Sequence, residues 1–309
     1  MKILVTYQIP HQPFEQLPQD WEITFPATEK MSKEEIIRLL PQYDVLLSIF
    51  HSPVDKEIID AGKKLKLISN YGVGFNNVDI IYARQKGIAV SNTPKAVNNP
   101  TAELTMALML SAARRVAECN LKIRTQKESM WGTMRNLGFG LENKTLGIIG
   151  MGNIGKNVAQ KAQVFGMNII YYNSRTEIPG YQRVDFDTLL QKSDFISLHT
   201  PLTPQTHHLI SKREFTLMKP TAILVNTARG AVVDEKALAE ALINKQIAGA
   251  ALDVFEDEPH ITEALYHLEQ VILVPHIGTA TIDARIAMGE EALENIFQFF
   301  NGTPQNIVN

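Results

Sequence analysis

Three glycines and three ionisable side chains carry the chemistry of this sequence. Gly150, Gly152 and Gly155 form a G-x-G-x-x-G, and each has its own physical use. The first lets the chain turn sharply, the second leaves no Cβ between backbone and a pyrophosphate, and the third lets a helix approach a sheet. Free N–H groups at the positive end of the helix dipole then hold the anion. Further along stand Arg229 in Asn226-Thr227-Ala228-Arg229-Gly230, Glu258 before Pro259, and His276 in Val274-Pro275-His276-Ile277-Gly278. Reducing a carbonyl with a nicotinamide needs a proton donor for the developing alkoxide and a cation that polarises the carbonyl. An imidazole, which titrates near neutrality, suits the first task. A guanidinium suits the second and clamps an adjacent carboxylate in fork geometry. Glu258 is the candidate to stabilise the imidazolium, and Asp253 is expected to accept from a nicotinamide carboxamide. Each residue alone has an ordinary explanation as a loop hydrogen-bonder, a surface group or a helix cap. Their combination is what points to hydride transfer.

That combination needs elements to position it. Leu146 to Ile149 is a short apolar run of the kind a buried strand uses, and Ile154, Val158, Ala162 and Phe165 recur at helical spacing. Gly166 closes that helix and Asn168 to Tyr172 reads as a second strand, completing a β-α-β unit around the glycines. An acidic residue is expected at the end of the second strand to bind the ribose 2′-hydroxyl. The chain has Asn173-Ser174-Arg175 there. A carboxylate would repel a 2′-phosphate, whereas these three side chains can all donate to one. The expected cofactor is therefore NADP(H), with NAD(H) accepted if Arg175 merely faces solvent.

Strand and helix patterns alternate on both sides of this unit, which implies parallel sheets covered on both faces. Just beyond the predicted strands lie Gly150, Asn173, His199, Arg229, Asp253 and His276, on the edge where open parallel sheets bind ligands. Gly72 and Gly74 follow the third strand of the first hundred residues. They could form a backbone nest for a carboxylate or an ordinary loop. Thr101 to about Arg124 reads as one long helix, apolar on more than one face. It suits packing within its domain and also against a second body, either a linker or a dimer contact. The following segment to Gly140 carries Trp131, Met134 and Phe139 and reads as a loop with exposed apolar residues.

The 309 residues favour two domains. A net charge of −3 without a basic cluster gives no footprint for nucleic acid. One cysteine, Cys119, forms no internal disulfide and fits a reducing compartment. The N-terminus lacks a signal-peptide pattern, and no run approaches the ~18 apolar residues of a membrane span. A cytoplasmic enzyme is expected. His207 and His208 are adjacent and lack a second ligand pair at zinc spacing, so they read as structural or surface residues and no metal is expected.

Over nearly its whole length the chain resembles the D-isomer-specific 2-hydroxyacid dehydrogenases. The resemblance rests on Tyr71-Gly72-Val73-Gly74, Asn92-Thr93-Pro94, Thr101-Ala102-Glu103, Leu146 to Gly155, His199-Thr200-Pro201-Leu202, Asn226 to Gly230, Leu252-Asp253-Val254-Phe255 with Glu258-Pro259, and Pro275-His276-Ile277-Gly278. It implies a Rossmann-type nucleotide domain over 100–284 and a smaller flavodoxin-like substrate domain from 1–99 and 285–309, with the active site in the cleft between them. It implies a catalytic triad of Arg229, Glu258 and His276, with Val73 and Gly74 holding the substrate carboxylate alongside Arg229 and His276. Cofactor contacts implied are Thr101, Gly150, Met151, Gly152, Asn153, Ile154, Gly155, Asn173, Ser174, Arg175, His199, Thr200, Pro201, Thr206, Thr227, Ala228, Asp253 and Gly278. It also implies a homodimer built through the long helix and the Trp131 loop. Asn173 in place of the usual acid resembles the glyoxylate and hydroxypyruvate reductases and favours NADP(H). The expected activity is reduction of a small 2-oxoacid to the D-2-hydroxy acid. The alternatives are a phosphoglycerate dehydrogenase, a dehydrogenase of a bulkier D-2-hydroxy acid, and a dinucleotide-sensing corepressor on the same fold.

Overall fold

The computed structural model describes residues 1–49, 52–126, 131–173 and 177–309, which gather into two compact units. One comprises Met1–Val97 with Thr279–Asn309, the other Asn98–Gly278.

The first unit opens with β1 (Lys2–Val5), β2 (Glu22–Thr24), α1 (Lys33–Leu39), β3 (Val45–Ile49), α2 (Lys56–Ala61), β4 (Leu67–Tyr71), α3 (Ile80–Gln85) and β5 (Ala89–Ser91). Its parallel sheet runs β2-β1-β3-β4-β5, the flavodoxin-like order. Alternation along the strands divides the core. Leu4, Leu46 and Ile68 pack with Ile36 and Ile58 on one face, and Ile3, Val5, Val45, Leu47 and Leu67 fill the other. Short polar residues start the helices: Ser32 Oγ accepts from Glu35 N at 3.2 Å, and Asp55 Oδ1 accepts from Glu57 N and Ile58 N at 3.1 Å each. The three-residue edge strand β2 has no counterpart in the sequence reading.

The second unit contains α4 (Asn98–Ala113), α5 (Val116–Gln126), β6 (Thr145–Ile149), α6 (Asn153–Val164), β7 (Asn168–Tyr172), β8 (Gln182–Arg183), α7 (Phe186–Lys192), β9 (Phe195–Leu198), α8 (Lys212–Leu217), β10 (Ile223–Asn226), α9 (Glu235–Ile243), β11 (Gly249–Leu252), α10 (Glu263–Tyr266) and β12 (Val271–Leu273). Its parallel sheet is ordered β12-β11-β10-β9-β6-β7-β8, which is the Rossmann arrangement with one further strand and a switch point between β6 and β9. Leu146, Ile148, Phe195, Ile223 and Val225 face α4 and α6, whereas Ile149, Ile196, Leu198 and Leu224 face the opposite core. The chain then ends in the first unit with α11 (Ile282–Phe300), whose buried face includes Met288, Ala292 and Ile296 against β1, β3 and β4.

The expected single helix from Thr101 to Arg124 is two helices. Arg115 sits at φ +55 between α4 and α5, a conformation that stops a right-handed helix. Phe139 N donates to Ala113 O at 2.7 Å, so the returning chain takes a carbonyl at the end of α4. Gly138 makes that approach tight, since a Cβ there would lie 2.2 Å from the same oxygen. Arg115 then pairs with Glu118 through Nε and Oε2 at 2.7 Å, fixing the first turn of α5. No helix among the described residues is long and apolar enough to cross a membrane.

Candidate active site

All strands of the Asn98–Gly278 unit run parallel, so their carboxyl ends share one edge. Gly150, Asn173, His199, Thr227 and Asp253 are each the first residue beyond a strand, and Arg229 and His276 each stand three beyond. The sheet therefore gathers most of the candidate side chains before any loop geometry is considered.

At β6 the glycines behave as three different parts. Gly150 adopts φ +97, and a Cβ there would lie 2.6 Å from His199 O. Gly155 presses α6 onto the turn, because a Cβ would lie 2.3 Å from Gly150 O. Gly152 faces open space, with nothing within 4 Å of an added Cβ. It is also the N-cap of α6, with no side-chain cap, so the first-turn amides at Asn153, Ile154 and Gly155 remain for an anion. Met151 turns into the core instead, 1% exposed, leaving its backbone to line the loop. This cradle fits a pyrophosphate.

Around it, Asn173 accepts from Arg183 Nη2 at its carbonyl, 2.9 Å away. Ser174 and Arg175 lie outside the described residues. His199 Nε2 meets Ser197 Oγ at 2.6 Å, and burial pulls its imidazole down to about 3, so it is neutral at working pH. Its buried Nδ1 has no partner among the described residues, an orphan atom on the edge where a dinucleotide would bind. Thr206 Oγ1 accepts from Thr203 N at 2.8 Å and donates to Pro201 O at 2.6 Å, which closes the loop after Thr200. Thr227 Oγ1 meets Thr105 Oγ1 at 2.8 Å, and Thr101 lies beside Gly278.

The ionisable residues converge through backbone contacts. Asn226 Nδ2 donates to Arg229 O at 2.9 Å and its Oδ1 accepts from Ala228 N at 3.0 Å, bracing the 226–229 turn. Gly230 then packs against Phe255, where a Cβ would lie 1.8 Å from the backbone carbon. That contact brings the Arg229 turn onto the one bearing Glu258. Glu258 Oε1 accepts from Phe255 N at 3.0 Å, and its Oε2 accepts from His276 Nδ1 at 2.9 Å. His276 sits at φ +53, and its amide donates to Asp253 O at 2.9 Å. Asp253 Oδ1 accepts from Ile277 N at 2.6 Å and Oδ2 from Gly278 N at 2.9 Å. Both oxygens expected to serve a nicotinamide carboxamide thus already hold the His276 turn.

Electrostatics follow burial. The Asp253 carboxyl is pushed up to about 6 by desolvation, against the two amide bonds and the nearby His276 that pull the other way. Desolvation also draws the Arg229 guanidinium below its ordinary range, while Glu258 opposes the shift. Arg229 Nη1 donates to Ala228 O at 2.6 Å. No carboxylate among the described residues forms an ion pair with it. A partly buried guanidinium that feels Glu258 only at a distance is suited to take an anion in direct contact.

The other unit presents the Val73–Gly74 loop past β4. Asn92 Nδ2 donates to Val73 O and Asn70 Nδ2 to Gly74 O, each at 2.8 Å. With the carbonyls turned inward to these amides, the Val73 and Gly74 N–H groups have no protein acceptor among the described residues. Asn70, wholly buried, was absent from the sequence reading because nothing in Asn70-Tyr71-Gly72 distinguishes an anchor from a loop polar residue. The same holds for Glu235, 3% exposed, which accepts from the backbone at Glu256 and Thr262. His207 and His208 stack at 4.0 Å, and His208 Nε2 meets Glu256 Oε1 at 2.6 Å. Their ligand atoms and that of Glu256 all lie within 4.8 Å of one another, a grouping that adjacency alone did not suggest.

Residues 106–278 match the family model described as "D-isomer specific 2-hydroxyacid dehydrogenase, NAD binding domain". A glyoxylate reductase from Thermococcus litoralis is 45% identical over 320 aligned positions, covering 100% of this chain and 96% of the relative. Among solved structures, a glyoxylate reductase from Paecilomyes thermophila superposes with a TM-score of 0.90 at 36% identity, over 100% of this chain and 98% of that one. An NADPH-dependent glyoxylate/hydroxypyruvate reductase from Sinorhizobium meliloti, in complex with citrate, gives 0.88 at 28% identity over 99% and 97%.

Proposed function

This chain belongs to the D-isomer-specific 2-hydroxyacid dehydrogenase family, and from that premise we propose that it reduces glyoxylate or hydroxypyruvate to the D-2-hydroxy acid, with NADPH preferred over NADH. The observation that carries the reading is Arg229, a partly buried guanidinium in the field of Glu258 but in no direct ion pair among the described residues, beside a hydrogen-bonded Glu258–His276 pair. An anion that also carries a reducible carbonyl would meet both.

A bound nicotinamide supplies a hydride equivalent at its C4. Arg229 binds the substrate carboxylate and polarises the neighbouring carbonyl, and the Val73 and Gly74 amides are assigned to substrate binding. His276, with Nδ1 held by Glu258, gives the proton from Nε2 to the carbonyl oxygen as the 2-oxo carbon gains the hydride. Glu258 stabilises the imidazolium before transfer and orients the ring during it. The glycine cradle over Gly150–Gly155, with Thr101, His199 to Pro201, Thr206, Thr227, Ala228 and Gly278, is assigned to the dinucleotide, and Asn173 with Ser174 and Arg175 to its 2′-phosphate. In this reading residues 1–99 with 285–309 take the substrate, 100–284 take the dinucleotide, and the enzyme is a cytoplasmic homodimer.

Initial rates of reduced-nicotinamide consumption test the assignment, with glyoxylate, hydroxypyruvate, pyruvate, 2-oxoisocaproate and phenylpyruvate offered in turn. The two small acids should turn over fastest, His276→Ala should lose roughly 100-fold or more, and NADPH should outperform NADH. Asn173→Asp should reverse the cofactor order by placing a carboxylate against the 2′-phosphate. Equal or better rates with NADH in the wild type would overturn the cofactor preference alone. Tight dinucleotide binding with no turnover on any acid would overturn the enzymatic reading in favour of a sensor.

A further inference from the structure

We propose that Glu235, outside the triad, is the positioning residue that holds Glu258 in register with His276. Glu235 is the first residue of α9, directly after its cap Asp234, whose Oδ1 accepts from Ala237 N at 3.0 Å. The helix is anchored by the buried side chains of Ala237, Leu238, Ala241 and Leu242. It is therefore a rigid reference within the Asn98–Gly278 unit. From that origin the Glu235 carboxylate, 3% exposed, reaches across to the segment carrying Glu258. Oε1 accepts from Glu256 N at 2.5 Å and Oε2 from Thr262 N at 3.2 Å.

The two bonds bracket Glu258 in sequence, with Glu256 before it and Thr262 after. Inside the bracket, Glu258 Oε1 accepts from Phe255 N, and His260 N donates to Asp257 O at 2.7 Å. Apart from the packing of Gly230 on Phe255 and the His276 bond itself, the long-range hydrogen bonds that reach this turn among the described residues are the two to Glu235 and the side-chain link from Glu256 to His208, which is partly exposed at both ends. A buried carboxylate is costly unless its oxygens are hydrogen-bonded, and here both are. They bond only to the backbone of the segment that presents the partner of His276. A side chain serving helix capping alone would bond its own first turn, as Asp234 does. Glu235 contacts no reacting atom in this scheme and acts through Glu258, as outer-shell partners of functional groups do.

The inference rests on the proposed reductase reading, and its test separates the two. Glu235→Gln retains one acceptor, and Glu235→Ala retains none. Rates with glyoxylate and NADPH should fall on the order of 10-fold in Glu235→Gln and 10–100-fold in Glu235→Ala, the range typical of outer-shell losses. The fall should appear in kcat, with the KM for NADPH unchanged. The high-pH limb of kcat/KM should move to lower pH in Glu235→Gln, in the same sense as in Glu258→Gln, because both weaken support of the protonated imidazole. Adding Glu235→Gln to Glu258→Gln should cost less than 2-fold more, since the two act as one unit. Amide exchange at Glu256 and Thr262 should accelerate in Glu235→Gln while exchange in β6 and β9 stays as in the wild type, which distinguishes a loosened turn from a misfolded unit. A Glu235→Gln enzyme with a wild-type pH profile, or losses that multiply with Glu258→Gln, would overturn the inference and leave the reductase standing. A wild type that reduces no 2-oxoacid overturns the function and, with it, this role.

Discussion

Asp253 shows how a single side chain couples the site to pH. Its carboxyl titrates at about 6 in the fold against 3.8 in a model peptide, because burial outweighs the amides of Ile277 and Gly278 that donate to it. Between these values the folded chain binds more protons than the unfolded one, so this group makes the unfolding free energy fall as pH rises from about 4 to about 6. Above that window its contribution is flat. Two pKa units correspond to on the order of 3 kcal/mol. The stability of wild type minus that of Asp253→Asn should therefore decrease by that order across pH 4 to 6 and then level off. Chemical denaturation at stepped pH reads the difference, and a difference that grows with pH would refute the assignment. The absolute cost of Asp253→Asn is a separate matter, since an amide offers one acceptor where two backbone donors converge. The residue types at the strand ends were legible in the sequence, because chemistry and position past a strand are one-dimensional facts. The work each oxygen does was not legible. Asp253 was expected to face a carboxamide, and only the φ +53 backbone of His276 turns the next two amides onto its carboxylate.

At the scale of elements, the glycine turn yields a contrast that the motif alone does not contain. Gly155 and Gly152 look equivalent in G-x-G-x-x-G, yet a Cβ at Gly155 would lie 2.3 Å from Gly150 O, and one at Gly152 would meet nothing within 4 Å. Gly155→Ala must push α6 away from β6, and overpacking of this kind costs about 1–3 kcal/mol. Its melting temperature and its dinucleotide affinity should both fall. Gly152→Ala should melt with the wild type, since there is room for the methyl group and φ is −79. It should still bind dinucleotide at least about 10-fold more weakly, because the methyl projects where the phosphates approach. Calorimetric melting with titration of NADPH separates the two, and a destabilised Gly152→Ala would show that the open space is needed by the fold. Long, regular elements were the readable ones. α11 spans Ile282–Phe300, and its apolar positions repeat over five turns, which makes it legible in the sequence as a helix. The edge strands β2 and β8 were missed, being two or three residues long with half-exposed or exposed side chains. The break between α4 and α5 was missed for a different reason. Helix propensity runs unbroken through Arg114-Arg115-Val116, and what stops the helix is a carbonyl claimed by Phe139, distant in sequence.

The whole molecule leaves apolar surface that one chain does not cover. Trp131, Met134 and Leu137 are 77%, 79% and 59% exposed on the segment after α5, and Val116, Leu121 and Ile123 are exposed on α5 itself. Single exposed apolar residues are ordinary, but a tryptophan and a methionine at this exposure, three residues apart, form the kind of patch that marks an interface. Aromatic residues and methionine are the types enriched at such contacts and charged types are depleted at their centre. The Arg115–Glu118–Lys122–Glu269 ion pairs lie along α5, where a polar rim would be expected. Sedimentation equilibrium at micromolar chain should return twice the chain mass of 34.6 kDa. Raised salt should not dissociate the dimer, since screening weakens exposed ion pairs while leaving apolar burial intact. Trp131→Ser combined with Met134→Ser removes two anchors of a patch in which a few buried side chains carry most of the affinity, and it should shift the population towards the single-chain mass. The glycine cradle and the triad residues are all drawn from one chain, so the dissociated variant should still bind NADPH. A wild type that sediments at 34.6 kDa would instead assign this surface to a partner other than a second copy, while a dimer insensitive to both substitutions would place the interface on another face of the chain.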